Sequence, residues 1–289
     1  MRLRTYFSPA YAPASVPTLA RLAVAADELA RLDLVELREP QPADAATLAG
    51  LHDDTYLGAF LRGDEPLASS QGIAWSPPLR DATLAMLGGQ LEAAHYALRH
   101  GVAVNLARGF HHAVPARGSG FCPINGLALV ALRMPQLRIF VVDCDEHGGN
   151  GTEEFAARLP NLHTASIFGT RFGCLGGERS WAFEVRVPRD GPGAYRAALH
   201  RVRDLLREHR PDLVLYQAGT DCHVGDPKGS VGLTTRRLIE RDLFVLRAAR
   251  QLDIPVVIVA AGGYQDASAI AMLNVATARC ALHVRKRVR

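Results

Sequence analysis

Paired cysteines are missing from this chain of 289 residues. The five thiols, Cys122, Cys144, Cys174, Cys222 and Cys280, are odd in number and show no recurring spacing. A disulfide framework is therefore not expected, and reduced thiols in a cytoplasmic protein are. No uninterrupted apolar run reaches the length of a membrane span. The first residues, Met1 to Tyr6, include arginines but no apolar stretch before Ser8-Pro9, so no signal peptide is expected there. Internal repeats, low-complexity tracts and linkers are absent as well, which makes one domain over residues 1–289 the economical expectation. Charge of one sign is also scarce: 33 Lys and Arg against 29 Asp and Glu leave a formal +4. Its densest source is the tail His283-Val284-Arg285-Lys286-Arg287-Val288-Arg289. No nucleic-acid module accompanies that tail, so it reads as a solvated helix end with basic residues favourably placed rather than as a nucleic-acid site.

What is present is a globular balance, 48% hydrophobic and 21% charged residues, in a chain long enough to bury a large core. Helical and strand signals alternate. Helical spacing covers Pro17 to Leu32, and Ser76-Pro77-Pro78 opens a helix whose Leu84, Leu87, Leu91, Ala94 and Leu98 form one apolar stripe. Further helices are predicted at Ala194 to Glu208, Thr234 to Ala249 and Ala267 to Leu282. Strands are predicted at Val102 to Leu106, Leu137 to Val142, His163 to Phe168, Ala182 to Val187, Leu213 to Gly219 and Pro255 to Ala260. This alternation predicts an α/β domain with a central, mostly parallel sheet and helices on both faces.

Chemistry gathers at the ends of those strands. Val141-Val142-Asp143-Cys144-Asp145-Glu146-His147 delivers Asp, Asp and His at alternate positions before the turn Gly148-Gly149-Asn150-Gly151. Residues two apart share a face while the backbone stays extended, so the three would converge if the extension persists. Carboxylates with an imidazole suit a divalent metal; the bland alternative is a strand-to-helix turn. The turn lacks the spacing of a dinucleotide fingerprint or a phosphate loop. A second cluster, Gly109-Phe110-His111-His112-Ala113 and Gly118-Ser119-Gly120-Phe121-Cys122, follows the 102–106 strand. Adjacent histidines cannot share one face of a strand, but in a loop both can turn to a cleft. Thr220-Asp221 follows the 213–219 strand, and Ala261-Gly262-Gly263-Tyr264 follows the strand ending at Ala260. In open parallel sheets the ligand crevice lies at the strands' carboxyl ends, where all four clusters fall.

In this order, the stretches 109–122, 141–152, 216–233 and 260–265 resemble the histone deacetylase family of the arginase–deacetylase fold, with His52-Asp53-Asp54-Thr55-Tyr56 similar to its His-x-x-x-Tyr segment. Asn150 and Gly262-Gly263-Tyr264-Gln265 look most like the class IV branch and its bacterial relatives. The resemblance implies one catalytic Zn²⁺ held by Asp145, His147 and Asp221, with coordination open to water and substrate. Such an oxygen-rich set also accepts Fe²⁺. The two-metal arginase plan fits less well, because Thr220-Asp221-Cys222 offers one carboxylate where those relatives supply a pair. By resemblance, His112 is the general base, His111 assists beside Asp143, Tyr264 is the oxyanion donor and Asn150 stands where many members have an aspartate. A structural K⁺ is expected at Asp143, Asp145 and Ser166. Gly120, Phe121, Phe172 and Gly262 are expected along the substrate channel. The chain departs from the family at the glycine-rich segment 168–178 and at Gly148, where many members have a second histidine. The implied reaction is hydrolytic removal of an acyl group from acyl-lysine, free or in a peptide or protein, or from a related acylated amine. One alternative is an acetylpolyamine or other small acylated amine, with acyl length open; another is a metal-binding sensor or scaffold without turnover.

Overall fold

The computed structural model describes residues 2–286; Met1 and residues 287–289, the end of the basic tail, lie outside the described residues. Eight strands form one sheet: β1 (Leu3–Tyr6), β2 (Val35–Arg38), β3 (Val102–Asn105), β4 (Ile139–Asp143), β5 (Leu162–Phe168), β6 (Ser180–Glu184), β7 (Leu213–Gln217) and β8 (Val256–Val259). Their order is β2-β1-β3-β8-β7-β4-β5-β6. Every pairing is parallel, so the sheet expected to be mostly parallel is wholly so.

The strand pleat divides the core in two. Ile139, Val141, Leu213, Leu215, Val257 and Val259 point to one face, where the helices Pro77–His100 and Gly126–Arg133 cover them. Phe140, Val142, Val214, Tyr216, Val256 and Ile258 point to the other, under the helices Pro17–Arg31, Pro192–His209, Thr235–Gln251 and Ala267–Lys286. Burial on both faces is why these strands read as unbroken apolar runs. Each such side chain removed from water contributes roughly 1.5–3 kcal/mol. The stripe Leu84, Leu87, Leu91, Ala94 and Leu98 packs into the first of these cores. That helix begins where Ser76 Oγ accepts the Leu79 N–H, with Pro77 in its first turn.

One expectation needs correction. The strand predicted over Ala182 to Val187 lies two to three residues earlier: β6 ends at Glu184, and Val187 opens the short helix Val187–Asp190. Pro188, in its first turn, has no N–H to give a ladder. The helix Ala267–Arg285 is also long and apolar enough, by length and composition, to match a membrane span. It packs instead against Pro17–Arg31, and 61% of its most apolar window is buried inside the fold. Neither β1 nor β2 was predicted, nor were the helices Asp54–Arg62, Gly126–Arg133 and Asn150–Arg158.

Candidate active site

Parallel strands place all their carboxyl ends at one edge, and the loops after β3, β4, β7 and β8 meet there. β4 stops at Asp143, so the extension that would have lined up Asp143, Asp145 and His147 does not persist. Hydrogen bonds bend the chain instead. Asp143 Oδ1 accepts the Asp145 N–H at 3.2 Å, and Asp145 Oδ1 accepts the His147 N–H at 3.0 Å. These are side-chain-to-backbone turns that aspartate favours. They leave Asp143 facing the His-His loop while Asp145 and His147 face the loop after β7.

Asp145, His147 and Asp221 offer ligand atoms that all lie within 4.8 Å of one another. His147 Nδ1 is 3.3 Å from Asp145 Oδ1 and 3.5 Å from Asp221 Oδ2. Asp145 Oδ2 accepts the Gly262 N–H, and Asp221 Oδ1 accepts the Glu146 N–H. Asp221 Oδ2, fully buried, has no well-formed hydrogen bond, its nearest donor being His147 Nδ1 at 3.5 Å. Burial and the neighbouring Asp145 charge push the Asp221 carboxyl up to about 7. At Asp145 burial acts upward too, but the imidazoles of His111 and His147 outweigh it and hold the group well below the usual range. Burial alone would lower His147, yet its contacts with both carboxylates carry it up to about 10. A buried carboxylate oxygen short of a hydrogen-bond donor, beside a second carboxylate and an imidazole, is a donor set that fits a divalent metal. Gly262 makes room for it: a Cβ there would lie 2.5 Å from Asp145 Oδ2 and closer still to Asp221 Oδ2.

The two histidines of the loop after β3 receive opposite treatment. His111 Nδ1 donates to Asp143 Oδ2 at 2.7 Å, and His112 Nδ1 donates to Asn150 Oδ1 at 2.8 Å. Burial lowers both. At His111 the charge of Asp143 outweighs it and the group is raised; at His112 the neighbouring His111 adds to burial, and the group falls well below its ordinary value. The two imidazoles are thus pushed in opposite directions, a division that suits acid–base work. The rings are 4.0 Å apart. His52 and Tyr56 brace this loop: His52 Nδ1 donates to Val114 O, His52 Nε2 accepts the Asn125 N–H, and Tyr56 Oη donates to Pro123 O.

Tyr264 enters from the loop after β8, its ring edge-on to His147 at 6.3 Å. Burial pushes its phenol up to about 12, against the lowering influence of Arg108. His111, His112, Gly120, Asp145, His147, Gly262 and Tyr264 line one small cavity of about 20 Å³, together with Arg108, Phe110, Cys122, Gln217 and Ala261. The Phe172 ring lies 3.9 Å from His112, and Phe121 lies 6.4 Å from Tyr264 on the other side. Phe110, Phe121, Phe172 and Ala261 all hold positive φ, 48° to 63°, at a cost of order 1–3 kcal/mol each. Such strain collects where a site dictates the backbone. Gly148 has no space for a larger residue, since a Cβ would meet Arg171 O and Cys174 Cβ at 2.5 Å. Ser166 is the register partner of Asp143 on β5, and its Oγ accepts the Gly149 N–H.

Sequence reasoning missed several supports. Glu146 is buried and accepts from Thr170 Oγ1, Ser230 Oγ and the Val231 N–H, tying two site loops together. Arg241, buried in the helix Thr235–Gln251, donates to Cys144 O and Gly219 O, and to Asp242. Asp226 accepts the Tyr264 N–H at 2.7 Å. A charged residue in a helix or turn carries no periodic signal that it will be buried. The five thiols are all free and buried.

A wholly parallel α/β sheet with an Asp–His–Asp group, paired histidines and a tyrosine at its carboxyl edge defines a deacetylase-type hydrolase of the arginase–deacetylase fold. The histone deacetylase domain profile matches residues 16–280, and the chain belongs to the histone deacetylase family. An uncharacterized protein of Picosynechococcus is 36% identical over 79% of each chain. Histone deacetylase 2 of Arabidopsis thaliana is 30% identical over 80% of this chain and 64% of its own length. Histone deacetylase 1 of Oryza sativa is 28% identical over 81% of this chain and 49% of its own. In three dimensions the whole chain matches an acetylpolyamine aminohydrolase from Burkholderia pseudomallei with a TM-score of 0.80 at 21% identity, covering all of both chains.

Proposed function

We propose that this protein hydrolyses the amide of an acylated primary amine, with acyl-lysine as the leading substrate and one divalent metal, Zn²⁺ or Fe²⁺, at Asp145, His147 and Asp221. The observation that carries the proposal is the buried Asp221 Oδ2, short of a hydrogen-bond donor, beside Asp145 and His147, which themselves line the cavity shared by two differently tuned histidines and a neutral phenol. A metal bound there supplies Lewis-acid polarisation of the carbonyl and acidifies water. The protein's own groups do the rest. His112 Nε2, turned away from Asn150, takes a proton from the attacking water and later returns it to the departing amine. His111, paired with Asp143, assists electrostatically as negative charge develops on the oxygens of the tetrahedral centre, and the Tyr264 hydroxyl donates to the carbonyl oxygen as it gains charge. The products are a carboxylate and a free amine. Family resemblance adds a structural K⁺ near Asp143, Asp145 and Ser166, and the unpaired thiols support a cytoplasmic setting.

A second reading, hydrolysis of an acetylated polyamine, draws on the fold shared with the acetylpolyamine aminohydrolase. A panel of acyl-lysine peptides, acetyl to myristoyl, run beside acetylated polyamines decides between them. Turnover is expected to vanish on chelation and to return with Zn²⁺ or Fe²⁺. Hydrolysis that survives chelation would remove the metal from the reaction, and metal binding without any turnover would leave a sensor or scaffold.

The hydrogen bond from His112 to Asn150 gives a further expectation. An amide accepts the imidazole N–H without adding charge, so His112 stays neutral into mildly acidic solution. A carboxylate at that position stabilises the protonated ring and raises its pKa. Asn150→Asp should therefore move the acidic limb of kcat/KM to higher pH, by up to about one unit. A limb that stays put, or moves to lower pH, would uncouple position 150 from the base.

A further inference from the structure

The rim of the cavity carries a cation that the chemistry above does not use. Lys228 is exposed, in the segment between β7 and the helix Thr235–Gln251. Its Nζ lies 5.2 Å from the centre of the Tyr264 ring and 5.6 Å from that of Phe121. Its backbone is pinned. The Lys228 N–H donates to Asp226 Oδ1 at 2.9 Å, and the other oxygen of the same buried carboxylate accepts the Tyr264 N–H. The turn that seats the phenol therefore also fixes where the ammonium begins. Among the described residues Lys228 forms no ion pair, whereas exposed arginines such as Arg31, Arg62 and Arg236 do. Behind the same ring lie the guanidiniums of Arg21 and Arg108, 5.7 and 5.6 Å from its centre. Three cations thus surround Tyr264. The acids nearby are the two proposed metal ligands, whose charge a dication would offset, and Asp226, already engaged by two backbone donors.

We propose that Lys228 is a specificity-determining residue that sorts substrates by the charge of the part left outside. It favours an acylated amine whose body carries a carboxylate, such as an acyl-lysine with a free α-carboxylate or acidic neighbours, and disfavours an acylated polyamine. The proposal rests on the deacylase reading and decides between its two substrate classes. With the acyl end at Asp145, His147 and Asp221, the four methylenes of lysine run past Phe121 and Phe172. The α-carbon and its substituents then emerge at the rim, beside the ammonium. A monoacylated polyamine brings protonated amines to the same place. A unit charge at the distance of a loose, solvent-exposed ion pair shifts binding by up to about fivefold. Attraction in one case and repulsion in the other separate the two classes by up to about 25-fold. The preference should weaken as salt is raised, because the groups involved are exposed.

Three substrates with one acyl group test this on the metal-loaded protein: Nε-acetyl-lysine with a blocked α-amine and free carboxylate, the same lysine blocked at both ends, and monoacetylated spermidine. The wild type should rank them in that order by kcat/KM, with the differences in KM. Lys228→Met should draw the three together, and Lys228→Glu should reverse the order. Equal ratios in all three proteins, or a wild type that prefers the polyamine, would overturn the role of Lys228 while leaving the deacylase reading in place. No turnover of any substrate by the wild type would overturn that reading itself, and this inference with it.

Discussion

Tyr264→Phe should lower kcat for acyl-lysine hydrolysis by about 10²–10³-fold, the loss that follows removal of one oxyanion donor and equivalent to about 3–4 kcal/mol, while metal content stays at the wild-type level. Burial keeps the phenol protonated, up to about 12, so it is a hydrogen-bond donor throughout the neutral range. Its position does not depend on its hydroxyl. The Tyr264 N–H is held by Asp226, and the ring rests among Arg21, Arg108, Lys228 and Phe121. Phenylalanine keeps those contacts and removes only the donor. Because Tyr264 stands outside the Asp145, His147 and Asp221 group, metal analysis separates a chemical effect from a collapsed site. A variant with wild-type kcat would exclude the oxyanion role, and one that loses metal would show that Tyr264 supports the ligands instead.

The parts of this site that sequence made legible share a property: each is a short local pattern at the end of an apolar strand. His111-His112, Asp143 through His147, Thr220-Asp221 and Gly262 to Tyr264 could all be placed because β3, β4, β7 and β8 are buried on both faces and so stand out as apolar runs. β1 and β2 did not, since they place Arg4, Glu36 and Arg38 among apolar residues; β2 is an edge strand whose polar groups meet solvent. The pleat argument brought Asp145 and His147 together for the wrong reason. The strand ends at Asp143, and aspartate-mediated turns supply the convergence. Least legible were contacts between distant segments. Arg241 lies 97 residues from Cys144 and Glu146 lies 84 from Ser230. Only the order of strands in the sheet, which the sequence does not state, brings them together.

Asp221→Asn should abolish metal-dependent activity and weaken metal affinity by well over the roughly 10–100-fold that follows loss of a residue merely supporting a ligand. At the same time it should raise the melting temperature of the metal-free protein. The two effects have one cause. Asp221 is fully buried, its Oδ2 has no well-formed hydrogen bond, and it sits against a second carboxylate, Asp145, that is held ionised. Without a metal, the fold carries the cost of that crowding, offset only in part by the His147 imidazole beside both carboxylates. An amide of nearly the same shape removes one negative charge and offers N–H groups toward Asp145, so the metal-free fold gains what the site loses. In the wild type the cost is offset by binding: a metal at a hundred times its dissociation constant adds about 2.7 kcal/mol of stability. The melting temperature should accordingly rise with added metal in the wild type and stay flat in the variant. A variant that still gains stability from metal would take Asp221 out of the ligand set, and a metal-free variant less stable than the wild type would show that the carboxylate is held for structural reasons.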